Sequence, residues 1–501
     1  KVYGKRVAVV PYVMPGFALA KLAAEIHDAH PDVEGMVLLK HGIFAFGATA
    51  RESYERMIAL VSLAEAEIAA HPAVTAPAAV SPAPEVLLPI LRGIVGRGAD
   101  GAWPSRWIAD LRTGAAAMTV VNHPRLSAFA GVGVATPDHV IRTKRSPLVL
   151  PAAGGELHEW RLRADHALSG YIGAYQAYFQ RNVGRFAGGK TALDPLPRVV
   201  AIPGLGLVGL GKSAAEAAVT ADVAESWAAT LLMGEAVGAF EPVDEADTFD
   251  MEYWSLEQAK LGKGAERRLE RHIVIVTGGA GVIVAATALA FAAEGAEVAV
   301  LDRDLAGAQA AAKAAGKTAL ALACDVTDRA SVDAAFVAVV RRFGGVDIVV
   351  SNAGSATTGM MADLDNDALR ASFDLNFFGH QHVAQAAIAV MRPQKLGGCL
   401  LFNVSKQAVN PGPDFGAYGT SKAALLALVR QYALEHGAEG VRASAINPDR
   451  IRSGLLTDAM IASRAAARGV DEATYMTGNL LSEEVTAEDV AQAFVFAALM
   501  R

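Results

Sequence analysis

The sequence predicts an α/β protein whose C-terminal half is a doubly wound parallel sheet, and three observations carry that expectation. From His272 to Arg501, β-rich apolar runs alternate with helical stretches, the pattern of strand–helix–strand crossovers. The first run, HIVIV, breaks into the glycine cluster Thr277-Gly278-Gly279-Ala280-Gly281 just ahead of an Ala-rich helical stretch. The second, EVAVLD, ends on an acid, Asp302, twenty-five residues after Thr277.

In chain order, KRVAVV near the N-terminus reads as a strand. Residues 35–68 read as strand, short loop and long helix, with Thr49 and Glu52 spaced as a capping box. His41 stands at the strand-to-turn junction before Gly42. A lone histidine there is either a hydrogen-bonded core residue or one metal ligand among several. The Pro/Ala/Gly-rich composition of residues 71–104 predicts linker and loop. Residues 105–150 carry His123, His139, Arg142, Lys144 and Arg145, a surface charge cluster or a meeting point for a sugar phosphate. Residues 155–185 and 214–240 read as amphipathic helices packed on a sheet.

Between those helices, GLVGLGKS at 206–213 satisfies Gly-x-x-x-x-Gly-Lys-Ser, the spacing of a nucleotide-phosphate loop. An internal comparison accounts for it differently. Setting residue n against n+164 aligns Gly42 with Gly206, Gly47 with Gly211, Ala50 with Ala214 and Glu52 with Glu216. Thr49 then falls on Ser213, a second helix cap, and Leu205 stands where His41 stood. The segment reads as a degenerate repeat, with Lys212 a solvated neighbour. A charged stretch, DTFDMEYWSLEQAKLGKGAERRLER, leads to the second half at about residue 271, giving domains over 1–270 and 271–501.

In the second half, the third strand ends in CDV (Asp325, Val326) and the fourth in Asn352-Ala353-Gly354. Asn376 lies in a helical run, FDLNFFGH, and Ser405 follows the strand-like CLLFNV. Tyr418 and Lys422 are spaced Tyr-x-x-x-Lys, which puts both side chains on one helix face about one turn apart. An ammonium beside a phenol lowers the phenol's pKa from about 10. Tyr418 could then exchange a proton near neutral pH, as hydride chemistry at an alcohol or carbonyl requires. Ser405 is placed to hold the substrate oxygen. Asp302 can accept from the ribose hydroxyls of an adenosine and repel a 2′-phosphate, which favours NAD over NADP.

Residues 272–501, with these motifs in this order, resemble the short-chain dehydrogenase/reductase family, whose fold is a Rossmann-type sheet. The resemblance implies an NAD-dependent enzyme with Tyr418 as acid/base, Lys422 on the nicotinamide ribose, Ser405 on the substrate oxygen and Asn376 in a proton relay. It implies cofactor contacts from Thr277, Gly278, Gly279, Gly281, Asp302, Asp325, Val326, Asn352, Ala353 and Gly354, besides Tyr418 and Lys422. Two departures stand out. The family loop reads Thr-Gly-x-x-x-Gly-x-Gly, but Val282 and Val284 replace its last two glycines. β-Branched side chains there predict a loop that is displaced or binds NAD poorly, and Val284→Gly is expected to tighten it. Asn447-Pro448-Asp449 replaces the usual Pro-Gly.

The segment around His41 resembles class II sugar-phosphate aldolases, in which a late His-Gly supplies one imidazole to zinc. The resemblance places the other ligands ahead of Lys1, so this half, with His41 alone, is expected not to hold zinc or another divalent metal tightly. The chain also ends where the dehydrogenase family supplies a further strand, and both ends read as truncated. The tandem as a whole resembles the bifunctional rhamnulose-1-phosphate aldolase/lactaldehyde (alcohol) dehydrogenases, through VATPDHVIRTK, EYWSLEQAKLGK, FGAYGTSKAALL and RIRSGLLTDAMIASRA. What that implies is retro-aldol cleavage of a ketose 1-phosphate followed by NAD-linked redox of lactaldehyde. The small-molecule substrates would be a sugar phosphate and lactaldehyde, and the assembly a homo-oligomer.

A net charge of −7 gives no sign of a nucleic-acid partner. Two cysteines, Cys324 and Cys399, are too few for a disulfide framework in 501 residues. Residues 273–293 are uncharged for 21 positions, but the glycine cluster in their midst favours a strand plus a buried helix over a membrane span. With no N-terminal signal pattern, the expectation is a cytoplasmic protein. Two readings compete with a lactaldehyde dehydrogenase. One is a scaffold disabled by Val282 and Val284; the other is a dehydrogenase of a different sugar alcohol.

Overall fold

The computed structural model describes residues 2–96, 105–261, 264–279 and 281–500. Its contacts divide the chain into two units: 1–82 with 111–210 and 218–264, and 83–110 with 211–217 and 265–501.

The first unit contains the predicted repeat. β1 (Val7–Val10), α1 (Phe17–Ala29), β2 (Gly35–Leu38), β3 (Gly42–Ala45) and α2 (Ala50–Ala69) form its first copy. β1 pairs parallel with β2, and β2 antiparallel with β3. After α3 (Pro84–Val95) and β4 (Ile108–Arg112), the same succession returns as β5 (Leu148–Val149), α4 (Leu157–Val183), β6 (Val199–Ile202), β7 (Gly206–Gly211) and α5 (Ala214–Val237). β5 is again parallel to β6, and β6 antiparallel to β7. The two hairpins turn alike: Lys40 and its counterpart Gly204 have φ of 63° and 80°, Gly42 and Gly206 of 136° and 137°. The caps match too. Glu52 N donates to Thr49 Oγ1 and Glu216 N to Ser213 Oγ, each at 3.2 Å.

This geometry disposes of the nucleotide-loop pattern. Gly206–Gly211 is a strand paired in a hairpin, not a loop whose N–H groups face outward. Lys212 Nζ is 2.7 Å from Glu266 Oε1.

Part of the predicted linker is a helix. Within 71–104, α3 begins with Pro84 in its first turn, where a missing N–H costs nothing. Residues 97–104 lie outside the described residues. α3 packs against α8 (Arg329–Phe343) and α9 (Gly379–Gln394), so this segment of the N-terminal half belongs to the second unit. Leu87, Leu88, Leu91, Ile94 and Val95 are fully buried, worth roughly 1.5–3 kcal/mol each. Proline-rich flanks masked an apolar helix. At its buried end, Arg92 Nη2 meets Asp347 Oδ2 at 2.8 Å, Nη1 donates to Gln394 Oε1 at 2.9 Å and Nε to Trp107 O at 2.6 Å. Arg106 Nε meets Asp347 Oδ1 at 3.1 Å, and Ile273 N donates to Oδ2 at 2.9 Å.

The second unit is built on β8 (Ile273–Thr277), β9 (Glu297–Asp302), β10 (Leu320–Ala323), β11 (Ile348–Ser351), β12 (Gly398–Asn403) and β13 (Val441–Ile446). All pairs are parallel, in the order β10-β9-β8-β11-β12-β13. The chain runs outward from β8 to β10, then crosses to β11 on the other side of β8. That reversal opens a crevice at the carboxyl ends of β8 and β11. The uncharged stretch at 273–293 is β8 plus the helix Val282–Ala293. Among the described residues, no helix is long and apolar enough to cross a membrane.

Candidate active site

The crevice beyond the sheet is about 1090 Å³ and is lined by residues from four of the predicted motifs. Gly278, Gly281, Asp302, Asp325, Val326, Asn352, Ala353 and Gly354 all border it. Gly278 has φ +91°, which only glycine adopts freely, and a Cβ on Gly279 would come within 2.6 Å of Val300 Cγ1. Thr277 Oγ1 accepts from Asn352 N at 3.0 Å and Ala353 N at 3.3 Å, tying the end of β8 to the loop after β11. Gly281 is the N-cap of the twelve-residue helix Val282–Ala293, whose unpaired N–H groups and positive dipole end suit a pyrophosphate. Asp302 ends β9 and accepts from Asp304 N at 2.7 Å. Asp325 accepts from Thr327 N and Oγ1 at 2.9 and 2.7 Å, bonds that hold its carboxyl below the ordinary range. Ala280 lies outside the described residues. These residues fit an adenine dinucleotide with an unphosphorylated ribose.

The two valines do not block it. Neither has a positive φ. Val284 is fully buried in the core with Ala288, Phe291, Val300 and Phe494, away from the crevice. Val282 is 47% exposed at the crevice edge. The expectation that Val284→Gly tightens NAD binding is therefore corrected: the substitution removes a core side chain and puts glycine inside a helix. It should cost roughly 2–5 kcal/mol in a urea unfolding titration. Val282→Gly, at the crevice edge, should leave NAD affinity near the parent's in a fluorescence titration.

Ser405, Tyr418 and Lys422 come together beside this crevice. Ser405 follows β12 and is held by Gln407 N, which donates to its Oγ at 3.2 Å. Tyr418 and Lys422 share one face of α10 (Gly416–His436), with Nζ 5.9 Å from the phenol ring centroid. Lys422 is 2% exposed and donates to Asn403 O at 2.8 Å. Its burial pulls the ammonium down to about 7. The Tyr418 phenol moves the other way. Burial raises it, and only the Ser405 hydroxyl works against that. The expectation that Lys422 acidifies Tyr418 is not met: burial dominates at the phenol, and the same burial weakens the ammonium meant to offset it. At neutral pH, Tyr418 is a phenol that can donate a proton.

Asn376 is fully buried on a π-helical turn, Asp374–Phe378. Its amide closes the loop after β11: Ser355 N donates to Oδ1 at 3.1 Å, and Nδ2 donates to Ser355 O at 2.9 Å. The side chain is occupied in fixing that loop. At the second departure, Asp449 Oδ2 meets Lys406 Nζ at 2.7 Å, tying this loop to the residue after Ser405.

His41 stands apart in the first unit. Its Nε2 lies 2.8 Å from Val13 O and its ring stacks on Tyr12 at 5.1 Å. No group of three or more His, Cys, Asp or Glu among the described residues could hold a metal. His41 alone does not fit one. Lys144, which the sequence allowed as surface charge, is instead 4% exposed against Glu252 at 3.8 Å. Two side chains behind Lys422 went unnoticed in the sequence, His380 and Ser351. Only the four-residue spacing of Asn376 and His380, one turn of helix, hinted at the first.

Comparison with known proteins gives three family matches along the chain. Residues 1–68 match the class II aldolase and adducin N-terminal domain, residues 83–261 the second domain of class II aldolase, and residues 272–462 the short-chain dehydrogenase pattern. The uncharacterized oxidoreductase YuxG of Bacillus subtilis is 33% identical over 525 residues, covering 99% of this chain and 74% of that protein. Galactitol 2-dehydrogenase of Agrobacterium fabrum is 36% identical over 182 residues, 36% of this chain and 71% of that one. A 3-ketoacyl-(acyl-carrier-protein) reductase from Brucella melitensis, complexed with NADH, superposes with a TM-score of 0.42 at 26% identity, over 45% of this chain and 90% of that one.

Proposed function

From a chain that belongs to the short-chain dehydrogenase family and carries class II aldolase domains ahead of it, we infer an NAD-dependent oxidoreductase of a small hydroxyaldehyde or polyol. The observation that carries this reading is the convergence of Ser405, Tyr418 and Lys422 beside an open crevice that ends at Asp302. NAD, when bound, accepts or returns the hydride. Gly278, Gly279, Gly281 and the helix N-terminus behind them would hold its pyrophosphate, and Asp302 its adenosine ribose.

The protein's own share is proton handling. Ser405 orients the substrate oxygen toward the Tyr418 hydroxyl. In carbonyl reduction, the neutral phenol donates its proton to that oxygen as the C–O bond becomes single. In alcohol oxidation, the phenolate accepts the proton, so oxidation should strengthen as pH rises above neutrality. Lys422 would hold the nicotinamide ribose in place.

Substrate choice has two supports. The tandem with aldolase domains favours an aldehyde such as lactaldehyde, the product partner in cleavage of a ketose 1-phosphate. Similarity to galactitol 2-dehydrogenase, and to D-threitol dehydrogenase of Mycolicibacterium smegmatis at 36% over 192 residues, favours a polyol. The open crevice and buried Val284 weigh against a disabled scaffold. NADH absorbance with lactaldehyde and a panel of polyols separates these readings: turnover confined to lactaldehyde supports the tandem, and turnover of polyols alone supports the second. None with either, at saturating NAD, favours the scaffold.

A further inference from the structure

Two buried side chains that the proton chemistry leaves idle stand behind Lys422. His380, on α9, is 1% exposed; Ser351, the last residue of β11, is 2% exposed. Ser351 Oγ lies 2.7 Å from His380 Nδ1, and His380 Nε2 lies 3.4 Å from Lys422 Nζ. An ammonium has hydrogens to give and no lone pair. Against the charged form of Lys422, Nε2 therefore accepts, which leaves the ring hydrogen on Nδ1, and Ser351 Oγ accepts in turn. The chain runs Lys422 to His380 to Ser351, with every hydrogen placed by the first donor.

We infer that His380 is the positioning residue for Lys422: a neutral imidazole, its Nδ1 hydrogen received by Ser351, that receives one ammonium N–H while Asn403 O receives another. One N–H is then left for a ligand in the crevice. This assignment rests on the dehydrogenase reading, in which Lys422 meets the nicotinamide ribose.

The charge environment agrees. Lys422, from α10, is the charged group acting on the ring, while β11 contributes Ser351 and the loop after it the Ala353 backbone. β12 contributes the Phe402 ring at 6.2 Å. Burial first, and then the Lys422 ammonium, hold His380 well below the ordinary histidine range, so it stays an acceptor. An imidazole bonded to the charged form of Lys422 raises that lysine's proton affinity, against the burial that lowers it.

NADH titration by fluorescence across the neutral range tests this on the full chain. His380→Leu removes the acceptor and should weaken NADH binding about tenfold or more, with the loss at high pH setting in at lower pH than in the parent. His380→Gln can still offer an oxygen acceptor and should recover most of the affinity. Ser351→Ala, which removes the acceptor of the Nδ1 hydrogen without opening a large cavity, should weaken binding in the same direction while the protein stays folded, its melting temperature lowered by only a few degrees. Folded His380→Leu and Ser351→Ala proteins with the parent's affinity and pH dependence would overturn the assignment alone. A parent protein that does not bind NADH saturably would overturn it together with the dehydrogenase reading.

Discussion

Replacing Tyr418 with phenylalanine should lower kcat about 10²–10⁴-fold, the usual share of a positioned acid or base. NADH affinity should hold, because the change removes one hydroxyl and leaves the ring on α10. The pH behaviour carries the same mechanism. Burial keeps the phenol above its ordinary value, so in the parent the reductive direction should dominate at neutral pH, and kcat/KM for oxidation should climb with pH. The Phe variant should show a flat residual profile. A variant that keeps the parent's pH slope would show that the proton moves elsewhere.

Removing Arg92 should have the largest effect on stability. Arg92 and Asp347 are both wholly buried, and removing the arginine leaves the carboxylate with Arg106 as its remaining ion-pair partner; breaking a buried pair costs up to about 3–5 kcal/mol. Arg92→Met should therefore shift the urea midpoint of the dehydrogenase unit sharply downward, although the residue lies 255 positions before its partner. Desolvation pushes the Asp347 carboxyl up, but Arg92, Arg106 and His272 hold it well below the ordinary range. A carboxyl with a depressed folded pKa contributes stability above its unfolded value and loses it as pH falls toward the folded one. The penalty of Arg92→Met should thus be full at neutral pH and shrink in acid. By the same packing, a fragment beginning at residue 265 would lack α3 and its arginine. It should express poorly, whereas one beginning at residue 83 keeps them.

Much of the site was legible because each motif solves a local problem. A glycine after a strand, an acid at the next strand's end and a one-turn Tyr–Lys spacing hold in any chain that bends this way. The repeat was equally legible, since Thr49 and Ser213 cap helices by the same bond. Four things were hidden. α3 was masked by proline-rich flanks, although Pro84 at a first helical turn is itself a start signal. Val284 was assigned to the loop because spacing does not say which side of a helix faces the core. The Tyr418 proton affinity was misjudged because sequence shows neighbours in line and not the desolvation around them. His380 belongs with these: its partners Ser351 and Lys422 are 29 and 42 residues away.

The most direct test offers the full chain NAD with galactitol carrying deuterium at each carbinol carbon, alongside lactaldehyde offered with NADH. The site described here predicts transfer of the label to the nicotinamide, or NADH-dependent reduction of the aldehyde, and loss of either in Tyr418→Phe. Saturable NAD binding with no hydride transfer to or from either substrate would contradict it, as would equal transfer in the Phe variant.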